Sequence, residues 1–194
     1  MEKHILISVG RQFGSGGKAV AKAMGEKLGI PVYDNELLSE AASNSGFSRS
    51  LFEKSDERRS LFTLGFDAGN TISSNEMHYL QGKVMREIAR KGSGVFVGRA
   101  SDFILRDMEC LDVFVCAPLE WRKKYVAARD GISEEEAAVK IRKRDRIRES
   151  FYNGITFEHW GVASNYDLCV DASILGIDGT ADYIIEFGKK AGLI

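Results

Sequence analysis

Hydrophobic positions along the chain fall into two patterns. HILISV at 4–9, PVY at 31–33, VFV at 95–97, LDVFVCA at 111–117 and LCV at 168–170 are short, nearly continuous apolar runs. Too short for helices and enriched in β-branched residues, they predict five buried strands. Between them the apolar residues recur at intervals of three and four. Val20, Ala21, Met24 and Leu28 share one helical face that Gly29 and Pro31 close off, and Met77, Leu80, Val84 and Ile88 share another ending at Gly92. Asp34 can cap a helix through Leu37, Leu38 and Ala41, and Pro118 suits the first turn of a helix after the fourth run. Ser133-Glu134-Glu135-Glu136 is a capping box that opens a helix reaching about Ser150, and a last helix spans about 180–190. The alternation predicts an α/β fold, with a parallel sheet covered by helices on both faces. From about 43 to 76 the pattern weakens into Ser-, Asn-, Asp- and Gly-rich loops around short helices, as in a functional flap, and 151–166 reads as irregular and aromatic.

At 194 residues one compact domain over the whole chain is expected, with a core large enough to need neither disulfides nor metal. The formal net charge of −1 gives no global attraction for nucleic acid or an anionic membrane, so neither is expected as a partner. Cys110, Cys116 and Cys169 fit no metal-ligand or CxxC spacing and read as structural thiols of a reducing compartment. The apolar stretch in MEKHILISVG is short for a signal peptide, and no window has the length of a membrane span; a cytoplasmic location is the expectation. The oligomeric state is not legible.

Chemistry concentrates just after the predicted strands, where ligands bind in parallel sheets. GRQFGSGGKAV follows the first one. Glycines at 14, 16 and 17 let successive backbone N–H groups turn inward, and the next helix adds its N-terminal dipole, which makes an anion site. Lys18 can reach the β- and γ-phosphates of a nucleotide. Against the pattern GxxxxGK[ST], Gln12 stands in place of the first glycine and Ala19 in place of the hydroxyl residue that faces Mg²⁺, leaving Ser15 as the candidate substitute. Gly14-x-Gly16-x-x-Ala19, with Asp34 further on, also fits an NAD-type dinucleotide loop, and a glycine-rich turn that only packs helix on strand is the third reading. Arg99, after the third strand, can fork onto a phosphate or pair with a carboxylate such as Asp102. The run KIRKRDRIR at 140–148 holds six basic residues against Asp145. On a helix Lys140, Arg144 and Arg148 form one cationic stripe, which reads as a solvated face, a nucleic-acid patch or a lid closing over phosphates.

RQFGSGGKAVA, PVYDNELL, VFVGRASDFIL, APLEWRK, KIRKRDRIRESFY and NYDLCVDASILGIDG, in this order over nearly the whole chain, resemble the cytidylate kinase-like family of P-loop nucleoside monophosphate kinases. The resemblance implies a three-layer P-loop NTPase fold in one domain, with a five-stranded parallel sheet, a helical acceptor-binding flap at about 43–76 and an Arg-rich lid at about 133–155. It also implies transfer of the ATP γ-phosphoryl group to a pyrimidine nucleoside monophosphate with Mg²⁺. By position, Gly14, Ser15, Gly16, Gly17 and Lys18 would hold the donor phosphates, and Asp34 and Arg99 would lie at the acceptor. Arg144, Asp145 and Arg148 would belong to the lid, with Lys18, Arg144 and Arg148 the residues that act on the transferring group. Asn35 and Glu36 replace the Ser-Gly pair of better-studied cytidylate kinases, Glu40 lies where an arginine would help hold the acceptor, and Phe151 stands at a lid-arginine position. A nucleotide-binding protein of the same fold with weak or no turnover is therefore the alternative, ahead of the dinucleotide enzyme.

Overall fold

A computed structural model describes residues 4–44 and 74–194. The five apolar runs become β1 (Leu6–Arg11), β2 (Val32–Tyr33), β3 (Gly94–Val97), β4 (Leu111–Cys116) and β5 (Leu168–Asp171). They form one sheet in the order β2-β3-β1-β4-β5, every neighbouring pair parallel. The helices are α1 (Gly17–Leu28), α2 (Asn35–Asn44), α3 (Ser74–Lys91), α4 (Ser101–Leu105), α5 (Leu119–Asp130), α6 (Glu134–Thr156) and α7 (Ala172–Lys190).

Register decides which face each strand residue joins. Ile7 lies opposite Val95 on one side and Leu111 on the other. These residues, with Val9, Val113 and Val115, meet Val20 and Met24 of α1 and Ile184 of α7. The other face puts Leu6 and Phe96 against Leu38 of α2, Met85 and Ala89 of α3, and Leu105 of α4. Strands buried on both sides need apolar residues at successive positions, hence the unbroken runs. Each fully buried Val, Leu or Ile side chain contributes about 1.5–3 kcal/mol. The product is three layers with β1 central, so the loop leaving β1 opens at the middle of the sheet's carboxyl edge. Among the described residues no helix is long and apolar enough to cross a membrane.

Three boundaries differ from the sequence pattern. Helix α4 was not expected; Arg99 and Ala100, both left-handed (φ 61 and 53), turn the chain into it. Helix α6 continues to Thr156 instead of stopping near 150, because Tyr152 is buried with its hydroxyl donating to Asp102 at 2.6 Å. The N–H of Phe157 closes it on the Asn153 carbonyl at 3.1 Å. Helix α7 starts at Ala172, where the Asp171 carboxylate accepts the Ser173 N–H; Gly176 (φ 68, ψ −176) then interrupts it, so only the part beyond the kink shows clean helical periodicity. Residues 45–73 of the expected acceptor flap lie outside the described residues.

Candidate active site

The loop after β1 is anchored from below. The Gln12 N–H donates to the Val115 carbonyl at 3.1 Å, and Gln12 Oε1 accepts the Ala117 N–H at 3.2 Å. The residue that replaces the first glycine of the motif thus ties the loop to the β4–α5 junction. Ser15 is fully buried, and its hydroxyl points at the Val115 and Gln12 carbonyls at 2.9 and 3.0 Å. Gly16 (φ 81) is the N-cap of α1; no side chain caps this helix, and its first turn holds no acid. The first N–H groups and the positive end of the dipole are left for a ligand. A Cβ on Gly16 would lie 2.5 Å from Ile177 Cδ1, so a side chain here would displace that of Ile177 as well as strain the left-handed backbone.

Lys18 and Asp34, which the sequence assigned to opposite substrates, meet in the structure. Lys18 Nζ lies 2.7 Å from Asp34 Oδ2, while Asp34 Oδ1 caps α2 by accepting the N–H groups of Glu36 and Leu37 at 3.0 and 3.1 Å. The hydrogen bond to Asp34 raises the Lys18 pKa against a smaller burial effect. Burial pushes the Asp34 carboxyl up, but Lys18 and the two N–H groups outweigh it and leave it below its ordinary value. The Lys18 side chain is 69% exposed, so the pair is worth less than about 1 kcal/mol and a phosphate can displace it.

A cavity of about 270 Å³ opens beyond the carboxyl ends of β1 and β3 and is roofed by the second half of α6. Arg99 enters it, with Nε and Nη2 both donating to Gln81 Oε1 at 2.8 and 2.5 Å and the guanidinium 4.7 Å from the centre of the Phe151 ring. Gln81 is fully buried and donates onward to Ser39 at 2.7 Å, so α2, α3 and the end of β3 are linked through one amide. Burial lowers the Arg99 pKa. Asp102, the alternative partner for Arg99, instead accepts the Tyr152 hydroxyl.

Arg11, the last residue of β1, was not singled out from the sequence, although it ends a strand as Arg99 nearly does. Its guanidinium packs against Gly98 (φ 71), where a Cβ would overlap Nη1. Burial, then repulsion from Arg148 and Arg99, brings its pKa down to about 9, with Asp34 the one opposing charge of note.

Helix α6 presents its basic run in several directions, not as one stripe. Lys140 turns to Asp130 at 2.8 Å, a carboxylate shared with Arg129. Arg144 is exposed at the cavity mouth. Arg148 Nη1 donates to the Arg11 carbonyl at 2.9 Å; burial lowers its pKa, and Asp145 partly offsets that. Asp145 accepts the Phe13 N–H on Oδ1 at 2.7 Å and pairs through Oδ2 with Arg122 Nη1 at 2.6 Å, so it braces α6 against the Gly-rich loop and α5. The Phe13 ring lies 5.1 Å from Arg129 and 5.4 Å from Arg148, between them. Phe151, in place of an expected arginine, supports Arg99 and meets His78 edge-on at 4.7 Å. For a divalent cation the side chains fit poorly. Ala19 offers no ligand, the Ser15 hydroxyl faces inward, and no group of three His, Cys, Asp or Glu among the described residues could hold a metal.

The family model for the cytidylate kinase-like family matches residues 6–174. The cytidylate kinase of Pyrobaculum calidifontis is 26% identical over 184 residues, covering 94% of this chain and 92% of that protein. That of Methanopyrus kandleri is 28% identical over 186 residues, covering 91% and 89%. Among solved structures, an uncharacterized protein from Eubacterium ventriosum superposes with a TM-score of 0.76 at 28% identity, covering 95% of this chain and 98% of that one. A shikimate kinase from Bacteroides thetaiotaomicron superposes at 0.55 with 15% identity, covering 95% and 98%, which is a likeness of fold alone.

Proposed function

Because the chain belongs to the cytidylate kinase-like family and has the fold of P-loop kinases, we propose that it transfers the γ-phosphoryl group of ATP to a nucleoside monophosphate, cytidylate or a close relative, in the cytoplasm. The observation that carries this reading is the uncapped N-terminus of α1 opening onto the same sheet edge as the guanidinium-lined cavity. One subsite suits a polyphosphate donor and the adjoining one a phosphorylated acceptor.

In this mechanism the loop N–H groups from Gly14 to Lys18 and the Lys18 ammonium hold the β- and γ-phosphates, Lys18 leaving Asp34 to do so. Trp121 and Ile177 flank Gly16 and give the donor base an apolar wall. Arg99, held in orientation by Gln81 and Phe151, binds the acceptor phosphate. An oxygen of that phosphate attacks Pγ as the bond from Pγ to the β,γ-bridging oxygen breaks, yielding ADP and a nucleoside diphosphate. No general base is needed, since the acceptor oxygen is already anionic. Arg144 and Arg148 neutralise charge on the transferring group. A Mg²⁺ ion arriving with the nucleotide would supply charge neutralisation to its phosphates. No side chain described here fits it as a direct ligand, so no step is assigned through it.

A coupled ADP-release assay across the nucleoside monophosphates tests the proposal. Turnover with cytidylate or another pyrimidine acceptor is expected. ATP binding without ADP formation on any acceptor would favour the second reading, a nucleotide-binding protein of weak or no turnover, which Ala19 and the inward Ser15 hydroxyl motivate. The dinucleotide reading is dropped: in that topology the second strand lies beside the first, whereas here β3 separates them.

A further inference from the structure

We propose that Arg11 is a second ligand for the acceptor's phosphate, forming with Arg99 and Arg148 a three-guanidinium seat that selects a phosphomonoester dianion. The inference rests on the proposed acceptor site and adds to it a residue supplied by the phosphate-loop strand itself.

Among the described residues three like charges converge here without matching anions: Arg11 has no ion-pair partner, and the described carboxylates within reach are engaged elsewhere. Asp34 holds Lys18 and the α2 cap, Asp102 accepts Tyr152, and Asp145 binds Arg122 and Phe13. Arg148 spends one N–H on the Arg11 carbonyl, and Arg99 directs Nε and Nη2 to a neutral amide. Arg11 is half-buried, and desolvation of its guanidinium together with repulsion from both neighbours is why its pKa is so low. A buried cation without a partner is costly, and a cluster of them more so, unless an anion completes the site. Gly98, left-handed at φ 71, lies so close to this guanidinium that a Cβ there would overlap Nη1 and displace it from the cavity. A phosphomonoester carries about two negative charges near neutral pH and three terminal oxygens, which suits forked donors arriving from β1, β3 and α6. A phosphodiester has one charge and lacks the third terminal oxygen, so it should be refused.

The test is thermal denaturation and direct titration of wild type, Arg11→Lys and Arg11→Met with cytidine 5′-monophosphate, inorganic phosphate and 3′,5′-cyclic cytidine monophosphate. Wild type should be stabilised by the first two and not by the cyclic diester. Arg11→Met should bind the monophosphate about 10–100-fold more weakly, since charge-assisted hydrogen bonds are lost. In the absence of ligand it should melt no lower than wild type, because one of three repelling charges is gone. Arg11→Lys keeps the charge and most of the bulk, and should still bind several-fold more weakly because its ammonium cannot fork. Affinity within twofold of wild type in both variants overturns the inference, as does a ligand-free Arg11→Met that melts several degrees lower, which would make Arg11 structural. If wild type responds to phosphate but to no nucleoside monophosphate, and Arg11→Met loses that response, the anion seat stands and the proposed acceptor falls. If neither phosphate nor the monophosphate moves wild type, both fall.

Discussion

Asp145→Ala tests whether one carboxylate holds α6 on the Gly-rich loop after β1. Asp145 joins the Phe13 N–H at 2.7 Å to Arg122 Nη1 at 2.6 Å. The Arg122 side chain is 10% exposed and that of Asp145 20%. With alanine the guanidinium stays buried with only a 3.3 Å bond to the Phe13 carbonyl, and its Nε already lacks a partner. Breaking one side of a buried pair costs about 3–5 kcal/mol. Orphaning the Phe13 N–H adds about 1–3 kcal/mol where water cannot reach it. Exposure of Asp145 lets water recover part of both, so about 3 kcal/mol is expected, the lower end of the buried-pair range. For a chain of this size that is a melting-point loss of roughly 6–12 °C. Urea unfolding followed by the fluorescence of Trp121, next to Arg122, would show the midpoint fall with an unchanged slope. Asp145→Asn keeps an acceptor for Phe13 but not the charge, and should lose about half as much. A double-mutant cycle with Arg122→Met should give a coupling of at least about 1 kcal/mol. Loss below about 1 kcal/mol in Asp145→Ala, or additive single variants, would refute the brace and return Asp145 to a solvated position.

Other perturbations separate the remaining roles. Lys18→Met should keep the fold, because the ion pair it removes is exposed, and lower kcat/KM by roughly 10²–10³ as for loss of one electrostatic stabiliser; steady-state kinetics with unchanged turnover would move the donor site elsewhere. Arg99→Lys cannot donate twice to Gln81 and should mainly raise KM for the monophosphate, so a collapse of ATP binding with acceptor binding intact would mean the two subsites are reversed. Asp112 is raised to about 7 by burial and then by the charge of Asp102, and its Oδ1 has no hydrogen-bond partner among the described residues. Between about pH 4 and 7 the folded chain keeps a proton that the unfolded chain releases, so this group makes stability fall as pH rises, by up to about 1.4 kcal/mol per pH unit, and level off above 7. Chemical denaturation of wild type and Asp112→Asn at pH 5 and pH 8 reads the effect; equal pH dependence in the two proteins would exclude Asp112 as its source.

Much of the fold is legible because its causes are local. Val95, Phe96 and Val97 read as a strand buried on both faces because the run is short, β-branched and aromatic, and bounded by Gly94 and Gly98. Gly14, Gly16 and Gly17 before an amphipathic helix mark a tight turn into α1 for an equally local reason, and Gly14 and Gly16 take the left-handed φ that only a residue without a Cβ adopts freely. Arg99 is legible from its place after a strand, and Arg11 could have been found by the same rule. The course of α6 past Ser150 was not legible, since it depends on Tyr152 reaching Asp102, 50 residues earlier. Nor was the work of Asp145, whose contact with Phe13 spans 132 residues. In the sequence it is one acid in a basic run, and only the packing of α6 on α5 makes it a brace. What the sequence by itself determined is therefore most of the described elements, their burial and the Gly-rich turn between β1 and α1, because periodicity and glycine conformation act within a few residues. The sheet order, the meeting of Lys18 with Asp34 and the convergence of Arg11, Arg99 and Arg148 were decided by the tertiary structure, because strand pairing alone sets which chain ends share an edge.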